Sequence, residues 1–151
     1  MGALDGIKVL DLSRVLAGPL CGQMLADNGA EVIKVESPDG DLNRGFPHAI
    51  GDGQTSNWLC VNRGKKDITL NLKSPKALEL LDALVAKMDV VIQSFLPDTA
   101  EKLGVGYDRL RNLNPDLIYC SVSGYGAKGP LRNKAGYDAM VAAYSGVFGL
   151  T

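Results

Sequence analysis

Two apolar runs separated by a Gly-Pro turn and a short amphipathic stretch constrain this chain more than any other feature. Ile7-Lys8-Val9-Leu10-Asp11-Leu12 reads as a strand, and Ser13-Arg14-Val15-Leu16-Ala17-Gly18-Pro19 as the turn that follows it. Leu20 to Asn28 has helical character, and after Gly29 a second strand-like run follows, Glu31-Val32-Ile33-Lys34-Val35-Glu36. Strand, turn, helix and strand in that order specify a βαβ unit, because parallel strands need a crossover and a helix is the usual one. Pro19 suits a first helical turn, where a missing N–H costs nothing, and Gly29 suits a helix end. The backbone donors after the first strand are then placed to receive an anionic group.

The rest of the chain repeats this alternation. Pro38 to Ser56 is rich in Gly, Asp and Asn without periodicity and reads as a long surface loop. Asp67 to Leu72 alternates like a half-exposed strand. Ser74-Pro75 reads as an N-cap with a first-turn proline, opening a helix whose apolar stripe is Leu78, Leu80, Leu81, Leu84 and Val85. Asp89 to Ile92 is a short strand, Pro97–Leu103 and Tyr107–Leu113 are short helices, and Leu117 to Val122 is a last strand. A helix-like run, Ala139 to Tyr144, follows Gly136-Tyr137-Asp138. Strands alternating with helices imply an α/β fold, a Rossmann-like, mostly parallel sheet with flanking helices.

At 151 residues the chain is one domain's worth of sequence, and 46% hydrophobic with 22% charged residues excludes wholesale disorder. A net charge of −1 gives no broad reason to expect nucleic acid, so an anionic ligand must be held by local clusters. No apolar run reaches the length of a membrane span, and the first six residues lack the pattern of a secretory signal. Cys21, Cys60 and Cys120 are too far apart for metal ligation, with His48 the single histidine, and read as reduced, mostly buried thiols of a cytoplasmic protein. The apolar end, Gly146-Val147-Phe148-Gly149-Leu150-Thr151, reads as a truncation within a larger fold.

Four segments in order carry a family resemblance: LDGIKVLDLSRVLAGPLCGQMLADNGAEVIKVESPDGDLNR, NRGKKDITLNLKSPKALELL, DVVIQSFLPDTAEKLGVGYDRLRNLNPDLIYCSVSGYG and GPLRNKAGYDAMVAAYSG. Together they resemble the amino-terminal part of the class III coenzyme A transferases, the group that includes formyl-CoA transferase and carnitine CoA-transferase. The resemblance implies that residues 1–151 form an incomplete CoA-binding α/β domain of an interlocked homodimer. It implies no permanently bound cofactor, CoA itself being a substrate, with an acyl-CoA and a carboxylic acid as partners.

Coenzyme A is a polyanion at one end, so a near-neutral chain must meet it with placed cations and backbone donors. Arg63, Lys65, Lys66 and Lys73 cluster around the Asp67 strand, and Lys102 lies farther on. By resemblance the coenzyme site takes Leu16 and Ala17 from the first turn, Leu70, Asn71, Leu72 and Lys73, then Ser94, Phe95 and Lys102, and finally Ala135, Gly136, Tyr137 and Asp138. Ser37 stands where similar sequences carry an arginine, and Ser94 where they carry an asparagine. Both substitutions weaken the expected grip on the coenzyme.

In the family an aspartate carboxylate attacks the acyl-CoA thioester to give an enzyme anhydride, and CoA returns as an aspartyl thioester before transfer. That aspartate is expected beyond Thr151, so no catalytic residue is assigned here and the isolated chain is expected to be inactive. Related racemases carry Gly-His-Asp where this chain has Gly136-Tyr137-Asp138, and a phenol is a poor base at neutral pH. Two other readings compete. Glu36 ends the second strand where a ribose-binding acid stands in a dinucleotide module, although LAGPLCG lacks the G-x-G-x-x-G spacing. The other is a non-catalytic assembly fragment.

Overall fold

A computed structural model describes residues 2–150. In chain order the elements are β1 (Lys8–Asp11), α1 (Ala17–Asp27), β2 (Glu31–Glu36), β3 (Ala49–Gly51), β4 (Gln54–Thr55), α2 (Ser56–Asn62), β5 (Lys66–Thr69), α3 (Pro75–Val85), β6 (Val90–Gln93), α4 (Pro97–Lys102), α5 (Tyr107–Leu113), β7 (Ile118–Ser121) and α6 (Asp138–Tyr144). Among the described residues β5-β2-β1-β6-β7 form one sheet, and every pairing in it is parallel. The Rossmann-like reading therefore holds, with the strand order reversing direction between β1 and β6.

Period-2 alternation sends successive side chains to opposite faces of this sheet. Leu10, Val35 and Val91 face one core with Leu81 and Val85 of α3, Ala100 of α4 and Leu110 of α5. Val9, Val32 and Ile92 face the other, where Cys21, Leu25 and Ala26 of α1 pack. Covering both faces is what a parallel sheet requires, and its strands read as near-continuous apolar runs for that reason. Gly29 ends the α1 region at φ +104°, a conformation that favours glycine and turns the chain into β2.

Several expectations need correction. Pro38–Ser56 is not a featureless loop: it holds a 3-10 turn over Leu42–Gly45 and the small β3–β4 hairpin, and α2 follows from Ser56. The Asp67 strand leaves the sheet after Thr69, three residues earlier than its alternation suggests. Leu80 is 55% exposed and does not belong to the apolar stripe of α3, which Ala77, Leu81 and Val85 bury instead. Ser74 makes no side-chain cap bond, and Cys60 is exposed rather than buried.

Candidate functional site

Open parallel sheets bind ligands outside the carboxyl ends of their strands, where the strand order reverses. A pocket lies at that place here. Its walls come from the turn after β1 (Leu12, Arg14), the end of β2 (Val35, Glu36, Ser37), the segment after β5 (Leu70, Asn71, Leu72, Lys73) and the exit of β6 (Phe95), with Leu103 below. The pocket is partly open to solvent, and its space of about 70 Å³ is room for one end of a larger ligand.

Each wall is set by local bonds. Leu70 N–H donates to Glu36 O at 2.9 Å, the last tie of this chain segment to β2. Asn71 then turns the chain, its Oδ1 accepting from Lys73 N–H at 3.1 Å and its carbonyl from Ser74 N–H at 2.8 Å. Such a side-chain-closed turn is a preferred use of asparagine, and it brings Lys73 to the pocket wall. At the β6 exit, Gln93 Oε1 accepts from Phe95 N–H at 2.6 Å, and Ser94 Oγ accepts from Arg14 N–H at 2.9 Å. Arg14 carries its guanidinium 5.4 Å from the Phe95 ring centroid, a cation–π placement. Neither Arg14 nor Lys73 forms an ion pair with an acidic side chain among the described residues.

The cations behind the pocket are all consumed. Lys65 Nζ lies 2.8 Å from Asp11 Oδ2 and also donates to Pro19 O and Asn62 Oδ1. Burial pulls the Lys65 ammonium below its ordinary pKa, while Asp11 pulls it back up. Lys34, 1% exposed, sits 2.9 Å from Asp41 Oδ2 and donates to Ser13 O at 3.0 Å. A side chain at Gly22 would meet Asp11 Oδ2 at 2.7 Å, so this ion pair needs glycine on α1. Arg44 bridges two carboxylates, Glu36 at 2.7 Å and Asp67 at 2.8 Å, and lies 4.0 Å over the Trp58 ring. The two acids nevertheless shift in opposite directions. Burial pushes Glu36 up, but Arg44, Trp58 Nε1–H and Asp41 N–H outweigh it and hold the group below its usual range. Asp67 is raised by burial and by the charge of Glu36.

Of the residues named from the sequence, Ser37, Leu70, Asn71, Leu72, Lys73 and Phe95 line one pocket. Ser94 adjoins it through Arg14, and Leu16 and Ala17 continue the same turn into α1, whose first N–H groups have no partners within the helix. Lys102 is exposed at the end of α4, next to the pocket residue Leu103. Ala135, Gly136, Tyr137 and Asp138 are exposed on a separate segment and do not line the pocket. Three members of the cation cluster around β5 are held by acids instead: Arg63 pairs with Asp27 and Lys66 with Glu31, both at the surface, and Lys65 with Asp11 in the interior. Arg14 escaped the sequence reading, though its place one turn past β1 at the strand reversal was the signal that marks it. Glu36 is unavailable to a ribose, since its carboxylate already accepts from Arg44, Trp58 and the Asp41 backbone, which removes the basis of the dinucleotide reading.

Comparison with known proteins matches this arrangement to a family. The model of CoA-transferase family III matches residues 4–151, and the chain belongs to that family. It is 47% identical to an acyl-CoA transferase of Fusarium pseudograminearum, a match covering 99% of this chain and 35% of that protein. It is 43% identical to human succinyl-CoA:glutarate CoA-transferase, covering 98% of this chain and 34% of the human protein. A crystal structure of a CAIB/BAIF family protein from Brucella suis superposes with a TM-score of 0.91 at 44% identity, over 97% of this chain and 40% of that one. This chain thus spans little more than a third of the length of these relatives. FabI from Candidatus Liberibacter asiaticus superposes at a TM-score of 0.51 with 14% identity, a likeness of fold alone. Among the described residues no helix is long and apolar enough to cross a membrane.

Proposed function

We propose that the natural protein transfers coenzyme A between an acyl-CoA and a carboxylic acid, and that this chain supplies much of its coenzyme site. The observation that carries the reading is the pocket at the strand reversal, where Arg14 and Lys73, neither ion-paired among the described residues, stand beside Ser37 and Asn71. A phosphate of the coenzyme pairs with these cations, and the first N–H groups of α1 face the same ligand. Relatives named for succinyl-CoA, glutarate, D-citramalate and mesaconate favour dicarboxylic substrates.

The chemistry proceeds by covalent catalysis from an aspartate outside residues 1–151. Its carboxylate attacks the thioester carbonyl, the C–S bond breaks, and CoA leaves as thiolate from an acyl-aspartyl anhydride. The thiolate then attacks the aspartyl carbonyl, the acyl group departs as a free acid, and the aspartyl thioester is ready for the acceptor carboxylate. In this reading residues 1–151 are one incomplete domain of a homodimer. Exposed Leu20 and Met24 on α1 and Met140 and Tyr144 on α6 are apolar surface for the remaining chain or a partner to cover.

The test uses succinyl-CoA with glutarate as acceptor. The full-length protein forms glutaryl-CoA and the isolated 151-residue chain does not; turnover by the isolated chain contradicts the assignment of the nucleophile to a position outside it. The full-length protein also exchanges no α-protons of branched acyl-CoA esters, because Tyr137 stands where the racemases carry histidine.

A further inference from the structure

Val15 has a left-handed backbone, φ 68°, in the middle of the turn that links β1 to α1. A β-branched residue seldom adopts this region, and such a conformation persists only where its surroundings over-determine it. Among the described residues two other non-glycine residues share it, His48 and Asp52, but both are exposed in or beside the β3–β4 hairpin, where turn chemistry accounts for them. Val15 is half-buried and is gripped from both sides of its peptide. Its N–H donates to Asp41 Oδ1 at 3.2 Å, and its carbonyl accepts from Asn43 Nδ2.

Both grips come from one buried knot in the segment after β2. Asp41 is 4% exposed, is fixed by Lys34, and caps the 3-10 turn by accepting from Asn43 N–H at 3.0 Å. Asn43 is fully buried, its own carbonyl held by Thr55 Oγ1 at 2.6 Å. Val15 is flanked in sequence by Arg14, which lines the pocket, and by Leu16, from which α1 starts.

We propose that Asn43 is a positioning residue that acts through Val15: its amide locks the left-handed turn and so aims Arg14 and the first N–H groups of α1 at the coenzyme. The inference rests on the coenzyme reading of the pocket and adds to it a control point that touches no ligand. A turn left free to relax to φ below zero swings the Arg14 side chain and the α1 donors off the pocket, and coenzyme affinity falls while the buried sheet is unaffected.

A double-mutant cycle in the full-length protein tests this, with CoA affinity read by calorimetry for wild type, Asn43→Ala, Val15→Gly and the double variant. Glycine takes a positive φ without help, so Asn43→Ala is expected to weaken CoA about tenfold in the wild-type background and less than about threefold in the Val15→Gly background. Equal losses in both backgrounds, the behaviour of a residue that merely supports the fold, overturn the proposal. Should Asn43→Ala not fold, recovery of folding and of CoA binding by the added Val15→Gly supports it, and failure to recover overturns it. Wild-type protein that does not bind CoA overturns the coenzyme reading, and the inference with it, whereas wild-type binding without rescue overturns the inference alone.

Discussion

Lys73→Ala isolates the contribution of one cation to the pocket. Its ammonium has no acidic partner among the described residues, so the substitution breaks no ion pair and leaves no orphaned carboxylate. The Asn71 turn that carries it is closed by backbone groups and by the Asn71 side chain, which the change leaves in place. The expected loss is therefore that of a charge-assisted hydrogen bond to a phosphate, about 1.5–3 kcal/mol, or roughly 10- to 150-fold in the CoA dissociation constant. Because Lys73 is exposed, the lower half of that range is expected. Calorimetry on the full-length protein reads it directly. Lys66→Ala is the control: Lys66 is a surface cation bound to Glu31 at 2.6 Å, and its loss changes CoA affinity by less than about twofold. Dephospho-CoA separates the phosphates, since insensitivity of its binding to Lys73→Ala assigns the lysine to the 3′-phosphate. Equal CoA affinity for wild type and Lys73→Ala excludes the lysine from the coenzyme site and leaves it a solvated surface charge.

The interior makes its own predictions. Glu36→Gln removes a carboxylate held below its ordinary pKa, and the stability such a group supplies is present above its unfolded value and lost as pH falls through the folded one. The variant is expected to be about 2–4 kcal/mol less stable than wild type at pH 7, with the difference narrowing on acidification, as read by urea unfolding across pH 7 to 3. Leu81→Ala, at a fully buried position between α3 and the sheet, is expected to cost about 2–5 kcal/mol in the same assay. Tyr119, whose hydroxyl donates to Val105 O at 2.8 Å, is pushed up to about 12 chiefly by burial. Its contribution to stability is intact below pH 10 and fades between there and about 12, so Tyr119→Phe flattens the alkaline limb of the stability profile.

Where the sequence reading succeeded, the signal was local. Glu31–Glu36 and Tyr107–Leu113 are elements whose bounds come out unchanged, because period-2 and period-3.6 patterns flanked by Gly, Asn or Pro depend on near neighbours. Its failures depend on contacts across the chain. Lys65 read as one of the cations offered to the coenzyme and Lys34 as a plain strand residue, yet the fold buries both side chains against Asp11 and Asp41, partners 54 and 7 residues away in sequence. Leu42–Gly45 and α2 are single turns or little more, stabilised by Asp41, Thr55 and Trp58 rather than by any periodicity of their own. At the site, Leu70 to Lys73, Ser37 and Phe95 came from the family resemblance and meet in one pocket. Arg14 needed the strand order, which no local pattern encodes, and Ala135 to Asp138 remain apart from the pocket in these 151 residues.

The place of the coenzyme is read directly from a crystal structure of the full-length protein with CoA. Phosphate oxygens are expected within hydrogen-bonding distance of Arg14 or Lys73, at the carboxyl ends of β1, β2, β5 and β6 and beside the first turn of α1. Coenzyme bound elsewhere, with Arg14 and Lys73 both left facing solvent, contradicts this placement.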